Sequence, residues 1–158
     1  MKDQFTSAEG RMGRVVVLRM KPGTDLLDGM LAACEKHGIH NGVIISAIGS
    51  LNGVYYCDVE AVSDKKCGYG YGRTLYLDGP IELTGASGVI CSDAEGRINM
   101  HVHINMSDKY GNAYGGHLVQ GTKVLLTADI VLGEIEDVQM LRELDPDMEV
   151  YLLNPRQK

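Results

Sequence analysis

The chain has 158 residues, 44% of them hydrophobic, with 20 glycines, no tryptophan, one phenylalanine and a formal net charge of -6. That length suits one domain able to bury most of its apolar surface without cross-links, and no apolar run reaches the roughly 18 to 20 residues that cross a bilayer as a helix. The 15 lysines and arginines are scattered singly apart from Lys65-Lys66, so nucleic-acid binding would require the fold to gather them into a patch that neutralises phosphates.

The first ten residues are polar, and residues 1–12 are expected to form a flexible segment ahead of a single domain over 13–158. The opening "MKDQFTSAEG" has neither the basic nor the apolar region of a secretory leader. Cys34, Cys57, Cys67 and Cys91 form no C-x-x-C pair. Both features fit a cytoplasmic protein with reduced thiols. "RVVVLRM" (14–20) reads as a strand, punctuated by "KPGT". Thr24 is a plausible N-cap for "DLLDGMLAACEKH", in which Leu26, Leu27, Met30, Leu31 and Cys34 share a helical stripe, and Gly38 is the C-terminal stop. "GVIISAIG" (42–49) reads as a buried strand joined to the first by a right-handed crossover.

Beyond it the pattern is β. Apolar stretches at 53–60, 72–78, 80–90, 97–106 and 122–132 are separated by Gly, Asp and Asn clusters, as in an antiparallel meander. "CGYGYGR" (67–73) lacks the G-x-G-x-x-G spacing of a dinucleotide site and reads as a glycine-tyrosine loop or loose strand end. In the tail, "DPD" is expected to separate two short elements.

The strictest alternation is "INMHVHINM" (98–106). Ile98, Met100, Val102, Ile104 and Met106 take one parity; Asn99, His101, His103 and Asn105 take the other, the signature of a strand with one buried face. His101 and His103 therefore point the same way. After the turn "SDKYGNAYGGH", in which Gly115-Gly116 allows backbone conformations or approaches closed to other residues, His117 opens a return strand and can lie across from them. Three imidazoles with a free fourth position suit zinc, or another divalent transition metal. Solvated surface histidines are the plainer reading of the same residues.

Other candidates are weaker. His37 and His40 form an H-x-x-H broken by Gly38, and His37 is accounted for by the helix C-terminus. Glu82 and Asp108 are considered as a proton acceptor near the histidines, and Arg19 and Ser50 as pocket residues, although solvation, cross-strand pairing and turn hydrogen bonds are the plainer explanations. Cys34 belongs to the helix core stripe. No motif assigns a catalytic residue.

"RVVVLRMKPGTDLLDGMLAACEKHGIHNGVIISAIGSLNGV", "GPIELTGASG" and "HVHINMSDKYGNAYGGHLVQGTKVLLTADIVL" resemble, in that order, the plant and prokaryote conserved (PPC) domain, also called the domain of unknown function 296, in its standalone prokaryotic form. The resemblance covers residues 13 to 145, with "H-x-H … G-G-H-L-x-x-G" its most specific part. It implies an α+β fold with a mainly antiparallel, strongly twisted sheet of about seven strands and one principal packed helix. It further implies a homotrimer, and a metal site whose histidines map onto His101, His103 and His117. Plant relatives carry AT-hooks; "GRMGR" (10–14) lacks their Arg-Gly-Arg-Pro core.

Three functions follow as expectations. The first is a cytoplasmic trimeric metal-binding domain whose open three-histidine site holds a small molecule or protein partner. The second is a metal-dependent hydrolase, since a three-histidine zinc lowers the pKa of bound water to about 7. The third is a DNA-binding regulator.

Overall fold

A computed structural model describes residues 4–158; the first three residues of the expected flexible segment lie outside them. The expected strand-helix-strand opening is present as β1 (Arg11–Met20), α1 (Leu26–His37) and β2 (Gly42–Leu51). β1 starts three residues before the expected 14, because Arg11 and Met12 pair with Glu136 and Ile135 across a register shift. Helix α1 is capped by Asp25 rather than Thr24: the Thr24 backbone is engaged with Val124, while the Asp25 carboxylate accepts from the N–H groups of Leu27 and Asp28. Its other oxygen accepts from the Gly121 N–H at 2.7 Å, tying the helix start to a distant turn. Gly38 ends the helix in the left-handed conformation, φ 65°, where its N–H meets the last carbonyls.

The remaining strands are β3 (Val54–Cys57), β4 (Val59–Ala61), β5 (Tyr69–Tyr71), β6 (Leu75–Leu77), β7 (Ile81–Ser92), β8 (Ile98–Ser107), β9 (Ala113–Leu118), β10 (Val124–Glu136), β11 (Val138–Asp145) and β12 (Val150–Gln157). The fold is α+β with one helix and a mainly antiparallel sheet, as expected. Twelve strands replace the expected seven or so among the described residues. β4, β5 and β6 are three residues each, too short for a period-two pattern to show, and in the β11–β12 hairpin Leu141 beside Met140 and the apolar run 150–153 break the alternation. The turn at "DPD" does separate those two elements.

The main sheet runs β1-β10-β2-β7-β8-β9-β3-β6, with β11 joined to β7 through Leu141 and Ser92, and β4-β5 form a separate ribbon. β10 lies between β1 and β2 and runs antiparallel to each, so β1 and β2, joined through α1, are parallel. One face of the sheet meets α1, which packs on β8 and β1. Leu26, Met30 and Cys34 of the helix join Ile44, Leu83, Ile90, Val102, Ile104, Ile130 and Leu132 in one cluster. Each fully buried aliphatic side chain here contributes about 1.5–3 kcal/mol. β2 is not buried on both faces: Ile45 and Ile48 are exposed, and with Met12, Val15, Val17 and Leu126 they leave the outer face of β1-β10-β2 apolar and open. Thr122, fully buried, locks β3 in place: its hydroxyl accepts from the Tyr55 N–H and lies within donor reach of the Tyr55 and Val119 carbonyls.

Candidate metal centre

β8 lies between β7 and β9, so its alternation translates directly into placement. Val102, Ile104 and Met106 are buried in the core while His101 and His103 face the other way. The β8–β9 hairpin sets His103 directly opposite His117, and directly opposed residues hold their Cβ atoms about 4.5–5.5 Å apart. On its far side β9 pairs with β3, Cys57 opposite His117. That pairing depends on Gly116: a Cβ there would stand 2.7 Å from Asp58 Oδ1 and 2.8 Å from the Tyr56 ring.

The three imidazoles meet. Their ring centroids are 4.9, 5.0 and 5.5 Å apart, and one nitrogen of each lies within 4.8 Å of the others. His101 Nε2 and His103 Nε2 are 3.0 Å apart, close to the roughly 3.3 Å that separates nitrogens bound at 2.0–2.1 Å around one tetrahedral zinc. The Tyr71 hydroxyl is 2.8 Å from the same His101 Nε2, so that nitrogen, with one lone pair or one N–H, has two claimants. His117 Nδ1 is buried with no hydrogen-bond partner, the sole such side-chain atom among the described residues. An unsatisfied buried nitrogen and crowded neighbouring nitrogens fit a shared cation.

The electrostatics favour the neutral form of two of the rings. Burial, followed by His101, His103 and Arg142, pushes the His117 pKa down to about 4. Burial, Arg142 and His103 lower that of His101. Neutral imidazoles have their lone pairs available at physiological pH without deprotonation.

Tyr71, Arg142 and Asp58 escaped the reading of the sequence. Tyr71, from the β5 end of "CGYGYGR", stacks on His117 with centroids 4.3 Å apart; burial raises its phenol pKa, so it stays a donor at neutral pH. Arg142 of β11 donates from Nη1 to Asn99 Oδ1 at 3.3 Å and from Nη2 to the Tyr151 carbonyl at 2.8 Å. Both line a pocket of about 470 Å³ beside His101 and His103, with Asp58 and Leu152. The one visible signal was the tyrosine pair Tyr69 and Tyr71 at period-two spacing.

The other candidates lie elsewhere. Glu82 pairs with Ser107, four residues along β8 from His103, about 13 Å of strand. Asp108 is engaged by the N–H groups of Tyr110 and Asn112, the Asn112 amide and the Tyr114 hydroxyl, which hold its pKa below the carboxylate range; it organises the β8–β9 turn. Arg19 pairs across from Asp129 on β1, and Ser50 Oγ accepts from the Leu126 N–H at an irregularity in β2–β10. His40 is exposed and His37 closes the helix. Cys34 is buried in the core, its thiol pKa pushed up to about 11 by burial.

The family profile described as the Plants and Prokaryotes Conserved (PCC) domain matches residues 7–136. A curated relative from Synechococcus, the bifunctional protein GlmU, is 29% identical over 133 residues, which are 84% of this chain. The match spans only 19% of that relative's length. The metal-containing protein AF0104 from Archaeoglobus fulgidus superposes with a TM-score of 0.80 at 23% identity, covering 95% of this chain and 99% of that one. A plant- and prokaryote-conserved protein from Pyrococcus horikoshii gives 0.74 at 24% identity over 94% and 97%. At these identities the structural likeness concerns the fold.

Proposed function

The chain belongs to the Plants and Prokaryotes Conserved domain family, and from that premise we propose that it is a metal-binding module. His101, His103 and His117 hold one divalent ion, zinc or a related transition metal, and leave a coordination position for a small molecule or partner. The supporting observation is the convergence of three imidazoles, one of which, His117, carries a buried Nδ1 with no hydrogen-bond partner. When bound, the ion supplies Lewis acidity at the mouth of the pocket. The chain's own residues fix the ring positions through the β8–β9 register, and Tyr71 holds the His117 plane by stacking. The A. fulgidus protein described as metal-containing has the same fold, which is compatible with this reading.

Zinc content measured after dialysis against limiting metal tests the reading. One ion per chain is expected, lost in His101→Ala and in His117→Ala; no retained metal in the unaltered chain would sink it. Of the two carboxylates considered as bases for hydrolysis, Glu82 lies at the far end of β8 and Asp108 is bonded into the β8–β9 turn, so neither serves the histidines. Metal binding is preferred to DNA recognition because Arg11, Arg14, Arg97 and Arg156 are already paired with carboxylates on an acidic chain. Free cysteines suit a reducing compartment such as the cytoplasm.

The working assembly is a homotrimer. Its support in this chain is the apolar outer face of β1-β10-β2, where Val17 and Leu126 are 76% and 68% exposed; a contiguous apolar surface of this kind marks an interaction site. Sedimentation should give three times the monomer mass, reduced to the monomer in Val17→Asp.

A further inference from the structure

The pocket beside the histidines has a chemistry of its own. Arg142 forms no ion pair among the described residues, whereas Arg11, Arg14, Arg97 and Arg156 do. Its hydrogen bonds to Asn99 and the Tyr151 carbonyl occupy two of five guanidinium donors. Asn99 shares the face of β8 with His101, one strand repeat away, and Arg142 and His101 line the same pocket. Behind the two sits an apolar wall that includes Val59, Tyr69, Met148 and Leu152. The volume of about 470 Å³ falls in the small-molecule range of about 300–1,000 Å³.

We propose that this pocket binds a small organic monocarboxylate, its carboxylate shared between the histidine-held ion and the Arg142 guanidinium and its apolar tail against Tyr69 and Leu152. The inference rests on the metal reading above. Three neutral imidazoles leave a divalent ion's charge uncompensated, and Arg142 adds another positive charge beside it, so the site calls for an anion. A planar carboxylate matches the guanidinium fork, and an apolar tail removes the pocket wall from water. Inorganic phosphate could meet the charges and would leave that wall wet. The competing anion within the chain is Asp58, which lines the same pocket.

The test is calorimetric titration of 3-phenylpropanoate into chain first loaded with zinc and assayed for metal content. Parallel titrations use 3-phenylpropanamide and inorganic phosphate. The acid is expected to bind the zinc-loaded chain at least about tenfold more tightly than the metal-free chain, the amide or phosphate. Arg142→Gln is expected to weaken the acid by about 10- to 100-fold, the range of a charge-assisted contact, and Arg142→Lys by less, with zinc content unchanged in both. Asp58→Asn is expected to leave acid binding equal or tighter. Equal binding of acid and amide, or wild-type affinity in Arg142→Gln, overturns the proposal, as does phosphate binding at least as tight as the acid. Zinc without acid binding overturns this inference alone. A chain that takes no zinc overturns the metal reading with it. Arg142→Lys also guards against a folding defect in the glutamine variant, since it keeps the charge.

Discussion

Replacing His117 with leucine should reverse the order of stability between the metal-free and metal-bound protein. In the metal-free chain, the buried His117 Nδ1 has no partner, a defect that costs about 1–3 kcal/mol. Leucine removes it and forfeits the Tyr71 stack, worth about 0.5–1.5 kcal/mol. The net gain is about 1 kcal/mol. With about 2.1 cal/mol/K of unfolding entropy per residue and 158 residues, the melting entropy is about 0.33 kcal/mol/K, so the gain raises Tm by about 3 °C. Zinc at a hundred times its Kd adds about 2.7 kcal/mol, or about 8 °C, to the unaltered chain. A variant left with two histidines should gain little. Thermal melts at fixed protein concentration, in chelator and then in zinc, should place His117→Leu about 3 °C above the unaltered chain and then about 5 °C below it. A variant less stable than the unaltered chain in chelator, with the zinc shift intact, would refute both the orphaned-nitrogen argument and the ligand assignment.

Metal-free stability should fall as pH drops. His117 titrates near 4 folded and near 6.5 unfolded, so the unfolded chain binds more protons between those values and unfolding is favoured progressively from about 6.5 down to about 4; His117→Leu should flatten that slope in pH-dependent denaturant melts. Gly116→Val should lower the urea midpoint by the equivalent of about 1–3 kcal/mol through overpacking, because the added carbons meet Asp58 and Tyr56, and zinc affinity should drop with it. Asp25→Ala should cost about 1–2 kcal/mol in the same assay, as it removes the helix cap and the bond to the Gly121 N–H together; Thr24→Ala should cost far less.

What the sequence made legible follows from where pairing is local. β8 alternates because one of its faces is buried, and the short turn after it returns His117 to the opposite strand, so three ligands could be placed by counting parity. The helix was readable from its stripe, although its cap moved by one residue once long-range pairing engaged Thr24. Tyr71, Asp58 and Arg142 could not be placed this way. They come from the β4–β5 ribbon, the residue just before it and a terminal hairpin, about 30 to 43 residues from His101 along the chain, and no local periodicity states which face of the sheet those elements cover. Glu82 failed for a related reason: it sits on the strand next to β8, but register sends it to the far end.

The misfits of this fold are not scattered. Helix α1 is capped at both ends, the core alternation is met on β7, β8 and β10, and Thr122, the one buried polar side chain among the described residues, is bonded. The unsatisfied His117 Nδ1 belongs to the same histidine cluster as the two Nε2 atoms crowded at 3.0 Å with Tyr71 pressing on one of them, and His101, His103, Tyr71 and Arg142, an arginine without a counter-ion, line one pocket. Sequences that specify a fold satisfy it at every level except where function demands otherwise. An ion between the imidazoles satisfies the nitrogens, and an anion on that ion satisfies the arginine. The two proposals are thus successive steps in balancing one local deficit, and the second has no basis without the first.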